Sequence, residues 1–128
     1  MPIDVLVAWL REIGVTVDLY AFDLHHGGLY RSETREISLN VPDAERALLT
    51  LAHEAGHHIG YLLAGDRNDK RPALHRERQA YVYGWRVLRL IGADALVSRR
   101  QWIETCREDH GRWVAAKDGD TPVKRLRG

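Results

Sequence analysis

The sequence predicts an α+β fold, in which a three-stranded antiparallel sheet packs on a bundle of helices. Two patterns support this class: apolar residues recur at helical spacing in several segments, and they alternate at every second position between residues 15 and 41. The length of 128 residues suits one domain with a substantial core. We expect a single domain over residues 1–117 and a flexible tail over residues 118–128, where turn-forming and basic residues replace the apolar pattern.

The composition excludes several classes of partner. Lys and Arg total 19 against 18 for Asp and Glu, so a net charge of +1 provides no overall field for nucleic acid or an anionic membrane. The single cysteine excludes an internal disulfide framework and suits a reducing compartment. The opening segment MPIDVLVAWLREIG has charges within its apolar stretch, unlike a signal peptide or a membrane span. These features predict a soluble cytoplasmic protein.

The first third of the chain predicts one helix and then strands. Apolar residues at helical spacing predict a helix over residues 3–13, with Gly14 as its C-cap. Residues 15–22 alternate between apolar and polar and contain good strand formers, so they predict a strand. Two more strands are predicted, over residues 29–31 and 36–41. Because the connections are short, we expect an antiparallel meander.

A long helix is predicted over residues 44–64. Pro42 and Asp43 give a start signal, no proline interrupts the segment, and Gly65 gives a stop signal. One broad face of this helix is apolar and consists of Leu48, Ala52, Ala55, Ile59, Leu62 and Leu63.

This helix contains LAHEAGHHIG, in which His53, Glu54 and His57 form an H-E-x-x-H motif. The two histidines lie four positions apart on one side of the helix, so both imidazoles can reach one metal ion such as zinc. Glu54 is then placed to act as general base in a metal-assisted hydrolysis. The alternative is a solvent-exposed, histidine-rich face, which is what we expect for His58.

A second helix, over residues 73–91, carries an acid within its apolar stripe. Glu77 follows His57 by twenty positions, which suits a reversing polar loop and an antiparallel return, so we predict it as the third metal ligand. The alternatives are pairing with an arginine such as Arg46, or a position at the edge of the stripe. Gly84 would permit close approach of another helix. The stripe consists of Leu74, Glu77, Tyr81, Gly84, Leu88 and Ile91.

The last predicted helix begins at a capping box formed by Ser98 and Gln101. Within it, Cys106 is interpreted as a small core residue and not as a nucleophile, because no basic partner is indicated for it. His110 is interpreted as structural.

Four further residues have roles that the sequence leaves open. His25 and His26 lie next to glycines in a predicted turn, where solvated histidines are more common than metal ligands. Tyr81, one turn from Glu77, could hydrogen-bond an oxyanion or simply pack. Tyr61 lies one turn beyond the second motif histidine.

The segments ISLN, LAHEAGHHIG and ERQAYVYGW, in this order, resemble the ImmA/IrrE family of metallopeptidases over residues 15–91. The resemblance implies a small zincin-like (gluzincin-like) domain with one zinc ion per chain. It implies that His53, His57 and Glu77 bind the zinc and that Glu54 is the base. It also implies a protein substrate, such as a DNA-binding regulator of a phage or mobile element.

The chain departs from the family where members continue the second helix with an F-A-x-x-L-L-M-P-like segment, because residues 84–90 read GWRVLRL here. This departure leaves the shape of the substrate groove and the identity of the substrate open. We expect a zinc metalloendopeptidase that cleaves a protein or peptide, with no direct contact to nucleic acid or membrane. The alternatives are a metal-binding sensor or interaction module without turnover, and a small structural protein without metal.

Overall fold

A computed structural model describes residues 2–24, 27–65 and 72–118, and it describes side chains up to residue 108. This part of the chain is α+β, as predicted, with four α-helices and three strands. A short 3₁₀ helix, Ala93–Ala95, precedes the last helix. The elements in chain order are α1 (Pro2–Glu12), β1 (Thr16–Asp18), β2 (Gly28–Arg31), β3 (Glu36–Leu39), α2 (Ala44–Ala64), α3 (Ala73–Leu90) and α4 (Arg99–Asp118).

The sheet is mixed, so the predicted antiparallel meander is wrong. Its strand order is β1-β3-β2, in which β2 and β3 are antiparallel but β1 and β3 are parallel. The backbone N–H of Tyr20 donates to the side chain of Asp18 at 3.0 Å, a local turn that ends β1 well before the predicted end at residue 22. The connection that follows is long enough for the chain to reach the other edge of β3, where β2 pairs.

The helix ends follow the signals in the sequence. Asp43 Oδ1 accepts hydrogen bonds from the backbone N–H groups of Glu45 and Arg46 at 2.9 and 3.4 Å, and Gly65 ends α2 with a positive φ of 62°. The capping box of α4 is also present: the Gln101 N–H donates to Ser98 Oγ, and the Ser98 N–H donates to Gln101 Oε1, each at 3.0 Å. The predicted bounds of α2 are therefore confirmed at both ends.

The hydrophobic core surrounds α2, which packs against α1, β2, β3, α3 and α4. The predicted apolar face of α2 is one turn too long, because Leu62 and Leu63 are 48% and 64% exposed. Burial along α2 stops at Gly60, so the apolar pattern continues beyond the elements that cover the helix. The fully buried side chains include Leu6 and Leu10 of α1, Ile37 and Leu39 of β3, Leu51 of α2, Leu88 of α3 and Trp102 of α4.

Several predictions concern residues outside the described part of the chain. These are the turn histidines His25 and His26, most of the polar loop between α2 and α3, the side chain of His110, and the tail beyond residue 118. In the described residues, no helix combines the length and the apolar character that crossing a bilayer would require.

Candidate metal centre

Two glycines let α2 and α3 approach closely at the centre of the molecule. A Cβ atom added to Gly56 would lie 2.7 Å from the backbone nitrogen of Gly84, and one added to Gly84 would lie 2.7 Å from the carbonyl oxygen of Ala52. Neither position has room for a side chain. The role predicted for Gly84 in close helix approach is therefore confirmed, and the approach explains a glycine in the middle of a helix.

The crossing brings the three predicted metal ligands together. Glu77 Oε2 on α3 lies 3.0 Å from Nε2 of His53 and 3.0 Å from Nε2 of His57, both on α2. One ligand atom from each residue lies within 4.8 Å of the other two. Because the histidines are one helical turn apart, their rings stack edge to face at 4.9 Å and direct the same nitrogen to one point.

The cluster is buried at His53 and partly exposed at His57 and Glu77. His53 is 1% exposed, whereas His57 and Glu77 are 18% and 14% exposed. Partial exposure is compatible with a catalytic metal site, in which one coordination position is left to water or substrate.

The three residues of this cluster shift one another's pKa values. Burial alone would raise the pKa of Glu77, but the neighbouring His57 and hydrogen bonds from His53 and His57 hold the pKa of this carboxyl well below its ordinary range. Burial opposes a charge on His53, yet hydrogen bonds to Cys106 and Glu77 raise its pKa above the usual value. Burial lowers the pKa of His57. Glu77 is thus held as a carboxylate, which is the form that an acidic metal ligand must have.

The donor set fits zinc. Two imidazole nitrogens and one carboxylate oxygen are typical ligands of a catalytic zinc, and ligand atoms at about 2.0–2.2 Å from a tetrahedral ion lie about 3.3–3.6 Å apart. The 3.0 Å separations between Glu77 Oε2 and the two imidazole nitrogens are close to this spacing.

Glu54 lies next to the cluster but faces a different element. It is 4% exposed, and its charge contributes to raising the pKa of His53. A Cβ atom added to Gly28 of β2 would lie 2.9 Å from Glu54 Oε2, so the carboxylate lies between α2 and the edge strand. This position agrees with a residue about 100° around the helix from the first ligand. The role of Glu54 as general base stays a prediction.

The prediction that His58 is exposed is wrong, because β2 covers its side of α2. His58 is completely buried, and its Nδ1 is hydrogen-bonded to the hydroxyl of Tyr30 on β2 at 2.6 Å. Burial, with a smaller contribution from Arg35, lowers the pKa of His58. The imidazole is therefore a neutral part of the packing between α2 and the sheet.

Two residues of α4 complete the surroundings of His53, and no pattern in the sequence predicts either contact. Cys106 is buried, as predicted for a core residue, but its Sγ lies 3.2 Å from His53 Nδ1, so the absence of a basic partner was predicted wrongly. The ring of Trp102 lies 6.2 Å from the ring of His53, and its Nε1–H donates to the backbone oxygen of Tyr81 at 3.1 Å. Trp102 and Cys106 lie four positions apart and therefore share one face of α4, but this spacing does not predict which element that face contacts.

The sequence left open whether Glu77 pairs with an arginine and whether Tyr81 is a packing residue. Arg46 pairs with Glu108 at 2.7 Å, which removes the proposed arginine partner of Glu77. The Tyr81 hydroxyl accepts a hydrogen bond from Arg99 at 3.4 Å, and its ring lies 6.3 Å from the ring of Trp102, so its contacts are those of a packing residue.

Comparisons of the chain with protein-family models, curated proteins and solved structures gave no match. The function is therefore inferred from the residues and their arrangement.

Proposed function

We propose that this protein is a zinc-dependent metallopeptidase. One observation carries the proposal: potential ligand atoms of His53, His57 and Glu77 lie within 4.8 Å of one another in a cluster that is buried at His53 and partly exposed at the other two residues. A carboxylate in the second position of the H-E-x-x-H motif, Glu54, lies next to this cluster. This combination of two histidines, a distant acid and a neighbouring base is typical of metal-assisted hydrolysis.

The chain supplies binding and proton transfer. His53, His57 and Glu77 would hold the zinc, which when bound polarises the substrate carbonyl as a Lewis acid and lowers the pKa of water. Glu54 accepts a proton from the attacking water and later donates it to the leaving amine. Its burial between α2 and β2 limits the directions in which the carboxylate can move.

The substrate class follows from the resemblance to ImmA/IrrE proteins and from the composition. We propose a protein or peptide substrate, such as a DNA-binding regulator of a phage or mobile element, cleaved in the cytoplasm. The net charge of +1 gives no reason to expect direct binding to nucleic acid.

The test separates metal binding from turnover. Glu54→Gln keeps the size of the side chain and removes its basicity, so the variant should keep one zinc per chain while hydrolysis falls about 100-fold or more. Glu45→Gln is the matched control, because it makes the same change in the exposed first turn of the same helix. Zinc is measured on protein purified without added metal, and hydrolysis on candidate regulator proteins.

Each other outcome identifies an alternative. Unchanged turnover in Glu54→Gln would contradict the assignment of the base. A wild type that binds zinc but cleaves none of the candidates, with a biological effect that survives Glu54→Gln, would favour a metal-binding interaction module. A wild type without bound metal or zinc affinity would favour a structural protein.

A further inference from the structure

Both ring nitrogens of His53 have a partner. Nε2 lies 3.0 Å from Glu77 Oε2, and Nδ1 lies 3.2 Å from the sulfur of Cys106. We infer that Cys106 is a positioning residue that accepts a hydrogen bond from Nδ1–H of His53 and leaves Nε2 open to the metal. This inference rests on the metal centre of the proposed function and concerns a residue that is not itself a ligand.

The position of the sulfur excludes Cys106 from the ligand set. The two nitrogens lie on different edges of the imidazole ring, and Sγ contacts the edge that faces away from Glu77. Among the described residues, the group that could share one metal ion consists of His53, His57 and Glu77, without Cys106.

The direction of the hydrogen bond decides whether His53 can bind a metal. If the thiol donated its proton to Nδ1, the neutral ring would carry its own proton on Nε2, and that nitrogen would have no lone pair for the ion. If Nδ1–H donates to sulfur, the lone pair of Nε2 faces the cluster. Metal-binding histidines commonly have a carboxylate or a carbonyl oxygen in this place, and the sulfur of Cys106 performs the same task here as a weaker acceptor.

Helix α4 thereby holds the His53 ring from two directions. Cys106 contacts the Nδ1 edge, while Trp102, one helical turn earlier, packs beside the ring at 6.2 Å and is anchored by its own hydrogen bond to Tyr81. None of the α4 side chains that the structure describes is a proposed metal ligand. The helix nevertheless determines the orientation of one ligand, His53.

The test compares zinc affinity in variants at position 106, measured by competition with a chromophoric chelator. Cys106→Ala removes the acceptor, and we expect the affinity to fall about 10- to 100-fold, as for other partners of metal-bound histidines. Cys106→Ser restores an acceptor and should recover most of the loss. Val97→Ala is the control, because it also truncates a buried core side chain, but on the segment before α4; it should leave the affinity unchanged.

A second measurement reads the tautomer directly. Nitrogen NMR of the imidazoles is done on metal-free Glu77→Ala, because in the wild type the carboxylate 3.0 Å from Nε2 would itself hold a proton on that nitrogen. At a pH that keeps His53 neutral, Glu77→Ala should show the proton on Nδ1, and the double variant Glu77→Ala with Cys106→Ala should show a mixture of tautomers. Equal zinc affinity in wild type and Cys106→Ala would overturn the inference. A wild type that binds no zinc would instead refute the metal centre, and the same tautomer in Glu77→Ala with and without Cys106→Ala would then overturn the role of Cys106 separately.

Discussion

Helix α2 has two polar faces, and their comparison shows how one helix can hold two kinds of histidine. His57 and His58 are adjacent in the sequence and about 100° apart around the helix. His57 turns to α3, meets Glu77 and stays 18% exposed, whereas His58 turns to β2, meets Tyr30 and is completely buried. Glu54 lies one turn before His58, towards the sheet. The element opposite each face, and not the residue type, determines the role of the side chain.

The largest effect is expected on the face towards α3. Glu77→Ala removes the proposed acidic ligand, so zinc affinity should fall by more than the roughly 100-fold that loss of a supporting partner can cost. Because zinc at 100 times its Kd stabilises the folded chain by about 2.7 kcal/mol, thermal unfolding with and without zinc gives a second measurement. The variant should lose this zinc-dependent shift in Tm.

Glu104→Ala is the control for that variant, since Glu104 is an exposed acid on α4 that pairs with Arg100. It should bind zinc like the wild type. Full zinc occupancy in Glu77→Ala would show that the acid belongs to the packing and not to the metal.

A smaller effect is expected where β2 meets Glu54. The Cβ atom of Gly28→Ala would lie 2.7 Å from Thr50 Cγ2 and 2.9 Å from Glu54 Oε2, so both side chains must shift. Displacing a catalytic group by a fraction of an ångström to one ångström should lower turnover about 10- to 100-fold, with zinc affinity retained. The assay pairs substrate hydrolysis with zinc titration.

The double variant Gly28→Ala with Thr50→Ser removes the clash with the threonine methyl and leaves the one with Glu54. Its turnover should stay low. If the double variant regains full activity, the substitution in β2 lowers turnover by displacing Thr50 and not by displacing Glu54.

The smallest effect is expected from Tyr30→Phe, which leaves Nδ1 of His58 buried without its partner at 2.6 Å. The free energy of unfolding should fall by about 1–3 kcal/mol, measured by chemical denaturation, while zinc affinity stays the same. Tyr20→Phe provides the comparison, because Tyr20 is 71% exposed and should cost almost nothing. A drop in zinc affinity in Tyr30→Phe would mean that the two faces of α2 are coupled.

The features that could be predicted from the sequence are those encoded by local spacing. The H-E-x-x-H motif places His53 and His57 on one side of a helix wherever that helix lies, and Asp43 and Gly65 mark its ends. Glu77 could be found because an acid on an apolar stripe needs a partner.

The features that were missed depend on which elements meet. The alternation of residues in β1 is the same for a parallel and an antiparallel partner, so the sequence did not show that Thr16 would lie opposite Glu36 in a parallel pair. The burial of His58 depends on the position of β2. The contact between Cys106 and His53 joins residues 53 positions apart, and no periodicity encodes it.

The support that α4 gives to His53 has a consequence for the order in which the site forms during synthesis. A chain that ends at Ser98 already contains His53, His57 and Glu77, but it lacks both Trp102 and Cys106. In a nascent chain the three proposed ligands therefore leave the ribosome before the helix that contacts the ring of His53. We expect tight zinc binding to begin only after α4 has emerged and packed, which would keep hydrolytic activity from an incomplete chain.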